Sequence, residues 1–470
     1  MKLKNSIVTT LALTGLASTA FGVEVSDADL AALKQQLADL DQKVRVLERE
    51  REIDTDAATT AAKAAPKLSL GQNGFSFSSG DSNFVAQLHG VVQFDSRSFF
   101  SDGNLNGNDG FLIRRARPIF TGTVFRDFDF NFTPDFGGST VQIVDAFLNY
   151  RYSPWLQVQA GKFKSPVGLE QLQSDPYTMF NERSIATDLV PNRDLGIELK
   201  GDIAGGFASY ALGVFNGGTD YNGTTVNAPF QDDKSVAGRL CFQPWKNSTV
   251  NALKGLSFGV GGSYIIDHPA TNSVTGLTPG YTTDGQQKFF GYNTGVNGNG
   301  QGWRISPQAS YYYGPLGLMA EYVISDTEAK RSAAIATKSV DVQNTAWEVT
   351  GSWVLTGEDA SYNGVTPLHP FDPRINQWGA FQLVARYAGL DIDSDVFSGT
   401  SVTQLADPTK NASGAQAWSV GLNWYLNKNV RANLSYSHTA FDTFGASKIA
   451  AGNVGAQPES VIFSRLQLAF

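Results

Sequence analysis

In the segment FLIRRARPIFTG, residues 111–122, Arg115 and Arg117 stand two positions apart. If the chain is extended there, that spacing puts both guanidiniums on one side. Each offers a fork of donors that fits carboxylate or phosphate, and rings of Arg or Lys are a usual filter in anion-conducting pores. Leu112, Ala116, Phe120 and Gly122 then read as a lipid-facing row, which points Arg115 and Arg117 into a lumen. The row is mixed. Arg114 falls on the lipid side, where it must snorkel toward an interface, and Ile113 and Ile119 fall on the lumen side, so the opposite facing is also compatible. The competing reading is that wall carboxylates such as Asp129 or Asp145 neutralise both arginines and leave them as scaffold.

Little else in the chain could carry chemistry. His89, His268, His369 and His438 lie far apart with no local partner motif, which disfavours a hydrolase. Three Met and the single Cys241 leave no disulfide and little for a metal or redox cofactor, so no cofactor, metal or catalytic residue is expected. A net charge of -8 disfavours nucleic acid as a partner but does not set pore selectivity, because acidic outer loops count equally with the lumen.

The elements that must hold such arginines are strands. At the carboxy terminus, Ile462, Leu466, Leu468 and Phe470 share one face while Arg465 and Gln467 face the other way, as in an outer-membrane strand with lipid on one side and lumen on the other. Phe470 is the expected assembly signal, read by the barrel-assembly machinery. Lys2 and Lys4, the apolar run from Ile7 to Leu16 and the small residues Ala20 and Gly22 form a secretory signal over residues 1–22. From Phe84 to Phe470 about sixteen alternating segments occur, most of them about ten residues long, the length a tilted spanning strand needs. The fold class is therefore all-β, a sixteen-stranded antiparallel transmembrane barrel in outer-membrane lipid of a Gram-negative bacterium. One connection, 357–378, is long for a periplasmic turn: it is either irregular or a sign that the strand count fails there.

Ahead of the barrel, Leu30, Leu33, Leu37, Leu40, Val44 and Leu47 recur at alternating intervals of three and four, a coiled-coil seam over 23–52. Three heptads are short for an autonomous coil, so partner helices gathered by a homotrimer are expected. A periplasmic position would also let the coil meet peptidoglycan. Residues 53–83 read as linker.

Between residues 111 and 201, the segments FLIRRARP, VDAFLNYRY, GKFKSPVGLE, FNERS and LVPNRDLGIEL follow in order, with VLTGE, WGAFQLVARY and GLNWYLNKNVRANLSYSH later. Over nearly the whole barrel they resemble the phosphate-selective porin O/P family. The resemblance implies a trimeric porin passing small anions passively, with residues 165–192 folded inward to narrow the pore. Glu170, Asp175 and Glu182 would then meet Arg183 there, flanked by Lys162, Lys164 and Arg193. Arg183 and the two lysines are the leading anion contacts, although Glu182 beside Arg183 equally suits a salt bridge holding the loop to the wall. The chain departs from the phosphate-specific pattern, with Gln171, Ser174 and Asp175 where lysines are expected. Around Arg239 the row Ala237, Arg239, Cys241, Gln243 holds one guanidinium in place of a ladder. A mildly selective channel for phosphate or small organic anions fits better than a dedicated phosphate channel. The alternative is a general or sugar-permeable porin.

Overall fold

The computed structural model describes residues 26–100, 107–138, 140–217, 234–266, 280–333 and 336–470. The expected signal peptide lies outside them, as do residues 267–279 of a long loop. The described residues form two compact units, divided between Ala65 and Pro66.

In the first unit, helix α1 runs from Asp27 to Ala64. The Ser26 hydroxyl accepts from the amides of Ala28 and Asp29, and Asp27 and Asp29 complement the positive end of the helix dipole. The seam leucines are exposed along its length, Leu37 at 64% and Leu47 at 63%. Residues 53–64, read above as linker, are helical. Their alanines lose no side-chain entropy on helix formation, so the helix continues although the apolar seam has stopped.

The second unit is a closed antiparallel barrel of sixteen strands. They are β1 (Val85–Phe99), β2 (Gly110–Val124), β3 (Phe128–Asp135), β4 (Gln142–Ser153), β5 (Leu156–Lys164), β6 (Arg193–Ile203), β7 (Ala208–Phe215) and β8 (Lys234–Phe242). The others are β9 (Leu256–Ile266), β10 (Val296–Tyr313), β11 (Leu316–Ala333), β12 (Ala336–Val354), β13 (Ala380–Asp391), β14 (Gly414–Tyr425), β15 (Val430–Asp442) and β16 (Glu459–Ala469). Each pairs with its neighbour, and β16 closes on β1 from Val461↔Phe99 to Ala469↔Val91. Closure leaves no open edge, the condition for crossing lipid with strands. Leu466 and Leu468 face outward while Val461, Phe463, Arg465 and Gln467 are buried inside, so the terminal strand has the facing its sequence predicts. The connection 357–378 joins β12 to β13 at the short-turn end and is irregular, and the count of sixteen stands.

Two features were not legible. Part of the expected linker, Lys67–Gly71 and Gly74–Ser78, forms a hairpin whose second strand pairs with β1 over Val85–Leu88. It occupies the lane that β16 vacates beyond Phe470. The second feature is a β-bulge: Gln93 of β1 faces Arg115, but the next residue, Phe94, faces Ile113. The extra residue is Arg114. A bulge shifts facing by one position, which resolves the mixed row described above. Phe111 and Ile113 are exposed to the outside, Leu112 lies inside opposite Asp95, and Arg114 enters the lumen with Arg115 and Arg117. The expected outward Leu112 and snorkelling Arg114 are therefore corrected.

Candidate functional site

Residues 165–192 fold into the barrel between β5 and β6, with one short helix, α2 (Leu169–Leu172), and two 3-10 turns. Val167, Ile185, Leu189 and Val190 are fully buried. The loop can lie flat on the wall because Gly261 of β9 has no side chain: a Cβ there would come within 2.1 Å of the Val167 carbonyl oxygen. On the far wall Glu321 of β11 accepts the Leu169 and Glu170 amides at 3.0 and 3.3 Å.

The loop is fastened by charge. Asp175 receives Arg117, Arg183 at 2.8 Å and Arg115 at 3.3 Å. Arg117 also holds Asp135 of β3 at 2.6 Å, and Arg115 donates to Gln93 at 2.8 Å. Seven residues on, Glu182 takes Arg114 at 2.6 and 3.0 Å and Arg97 at 2.9 Å, with Arg465 at 4.0 Å. Arg465 itself forms a two-pronged pair with Asp95 at 2.6 and 2.7 Å. Burial alone would raise the Asp175 carboxyl, but Arg115, Arg183 and Arg117 hold it well below the usual carboxylate range. For Glu182 burial is likewise outweighed, chiefly by Arg114. Both loop carboxylates are therefore ionised at neutral pH. Removing one partner of an enclosed pair costs about 3–5 kcal/mol, so these contacts fix the loop in one position.

Lys164 donates to the Gln173 carbonyl at 2.7 Å and adds its charge near Asp175. Arg97, Arg114, Arg115, Arg117, Arg183 and Arg465 thus share Asp95, Asp135, Asp175 and Glu182, and with Lys164 beside them seven cations stand against four carboxylates, an excess of three positive charges. A sector on β11–β13 and β16 has the opposite balance. There Glu170, Asp284, Glu321, Glu348 and Glu459 are buried, and Arg386 pairs with the first two. Toward the short-turn end the loop roofs a chamber of about 1060 Å³ lined by Arg117, Lys164, Asp175, Arg193, Arg239 and Arg431.

The family model for phosphate-selective porin O and P matches residues 86–457. The chain belongs to that family. Porin O of Pseudomonas aeruginosa is 24% identical over 444 residues, covering 88% of this chain and 95% of that protein. Among solved structures, the outer-membrane channel DcaP of Acinetobacter baumannii covers 83% of this chain and 98% of its own at 12% identity, with a TM-score of 0.51, a likeness of fold. The protein is an outer-membrane porin.

The predicted site residues of this porin divide into three groups. Arg115, Arg117, Arg183 and Lys164 converge on Asp175, while Glu170 and Glu182 anchor the two ends of the same loop segment. Arg193 pairs with Asp145 at 3.0 Å, and Arg239 donates to Gln308 at 2.9 Å; both line the chamber and stand apart from Asp175. Lys162 is buried on β5, in register with Ala146 and Leu195. Asp129, a suggested neutraliser of Arg115 and Arg117, is instead held by Arg151 at 2.8 Å.

Several site residues went unnoticed in the sequence. Arg97, Asp95 and Arg386 sit on buried lumen rows, and the polar residue at every second position was the available signal. Asp284 lies in a second inward segment, 280–293, whose short ladder Tyr281–Thr282 with Lys288–Phe290 is packed inside. Nothing in its composition announces that it turns inward.

Proposed function

We propose that this porin is a passive diffusion channel with a mild preference for small anions, phosphate or small organic acids, along a path past Arg115, Arg117, Lys164 and Arg183 and out through the chamber by Arg193 and Arg239. One observation carries the reading: the cluster around Asp175 and Glu182 has three more cations than carboxylates and opens on the chamber, which the acidic sector around Arg386 does not line. In a narrow lumen such an excess is screened less than the overall charge of -8, which is distributed over the whole chain. The description of the family as phosphate-selective agrees in kind. Arg239 supplies a single guanidinium on its row, which supports mild rather than tight selectivity. The second reading, a general or sugar-permeable porin, has its own support in the sharing of Asp175 by three arginines. Reversal potentials of single channels in a potassium chloride gradient decide between them. A potential of the sign set by chloride supports the anion reading, and one set by potassium replaces it with the second.

The exposed seam of α1 fits a three-helix coil in the periplasm that assists a homotrimer, with peptidoglycan as a compatible partner, while the barrel supplies most of the contact. Three heptads bury too little to hold such an assembly alone. Deleting residues 24–52 is expected to lower the heat resistance of the trimer in detergent without abolishing it. Only monomers after that deletion would show that the coil, not the barrel, is the assembly element.

A further inference from the structure

Arg386 of β13 is 4% exposed and touches two separate inward segments. From the constriction loop it takes the Glu170 carboxylate at 3.2 Å and the Glu182 carbonyl at 3.1 Å, and its guanidinium lies 4.6 Å from the centre of the Phe180 ring. From the segment 280–293 it takes Asp284 at 2.8 Å. Asp284 is held in addition by the Ser419 and Ser437 hydroxyls at 3.0 and 2.7 Å. We propose that Arg386 is a positioning residue that couples the outer segment 280–293 to the constriction, so that the width of the pore is set jointly by both.

The charge balance makes this coupling strong. Glu170 and Asp284, both buried, share this one guanidinium, so its loss leaves the two carboxylates without their cation inside the barrel. Glu170 belongs to the constriction and Asp284 to the outer segment. Their repulsion would therefore drive the two segments apart. The outer segment is itself anchored away from the solute path: Tyr281, Phe289 and Phe290 are buried in an apolar core with Phe397, Leu405, Ile449 and Val454. That core ties the loops 392–413 and 443–458 to the same lever. A lesser link runs alongside, from the Thr282 amide to the Asp188 carboxylate at 2.7 Å. Displacement of these outer loops is thereby transmitted to Glu170 and Glu182, the two ends of the segment that carries Asp175.

This inference rests on the constriction loop being the narrow part of the channel, not on its anion preference. The test uses the full-length porin in planar bilayers with Arg386→Met, Arg386→Lys and Asp284→Ala. The unmodified channel is expected to hold one steady open level. Arg386→Met should lose that level, flickering among several and shifting the reversal potential, while Arg386→Lys, which keeps the charge, should restore part of the steadiness. Asp284→Ala should also flicker, although residue 284 lies apart from the Asp175 cluster, and it decides the matter if Arg386→Met does not assemble. A steady level and an unchanged reversal potential in Asp284→Ala overturn the coupling. An unselective parent channel that still flickers on Asp284→Ala leaves the coupling standing and removes the anion reading alone.

Discussion

Exchanging Arg115 and Arg117 together for glutamate is expected to turn the channel from anion-preferring to cation-preferring. Each exchange moves the local charge by two units, so the excess of three positive charges around Asp175 and Glu182 becomes one negative. At lumen distances such a change acts through a medium less screening than bulk water, and small dianions should lose more permeation than monoanions. The loop will also loosen, because Asp175 loses two of its three arginines. The control for that loosening is the pair Arg115→Gln and Arg117→Gln, which breaks the same contacts but leaves a positive excess of one. If the glutamate pair reverses the potential and the glutamine pair only reduces it, charge is the cause. An unchanged reversal potential in the glutamate pair would reduce these arginines to neutralised scaffold.

Changing Phe470 to Ser should deplete the porin from the outer membrane far more than changing Phe463 to Ser. Phe470 exchanges both backbone hydrogen bonds with Gly90 at 3.0 Å, and its ring lies so close over Gly90 that a Cβ there would meet it at 2.7 Å. Phe463 is buried, but on the lumen row, with Arg97 5.8 Å from its ring centre. Its loss should trim local packing without touching the closing end. Gly90→Val separates packing from recognition of the terminal residue, since it keeps Phe470 but denies the ring its seat. Comparable depletion by Gly90→Val and Phe470→Ser makes the seat the cause, whereas equal losses for Phe463→Ser and Phe470→Ser would make general hydrophobicity sufficient.

The strands were readable because lipid and lumen impose a period of two on each of them, and a period survives in sequence without any partner being known. Arg465 and Gln467 were placed on the correct face for that reason. The same rule failed across one residue at Arg114, since a bulge depends on what the neighbouring strand offers opposite it. Residues 53–64 misled in another way: an alanine-rich run with no apolar seam suits a linker and a helix alike. Pairings were the least legible. Arg386 meets Asp284, which lies 102 positions away, and Arg465 meets Asp95 at a separation of 370. Sequence shows such residues as polar positions on inward rows, but it does not say which carboxylate each arginine takes. Whether a guanidinium is a solute contact or a fastener turns on that choice.

The hairpin at Lys67–Ser78 has a consequence for how the barrel can close. A sheet rolled into a cylinder has a freedom that a flat one lacks, because its last strand can slide along its first and change the stagger, and with it the girth. Here the slide is blocked. Strand Gly74–Ser78 already fills the lane beside Val85–Leu88, and Phe470 abuts it at Gly74. The hairpin turn is held in turn by Asn429, which donates to the Gln72 carbonyl at 2.7 Å, and by Lys428, which donates to Asn73 at 2.8 Å. A segment with no place in the channel itself acts as a doorstop. It admits one stagger, and therefore one pore diameter, when the first and last strands of the barrel meet.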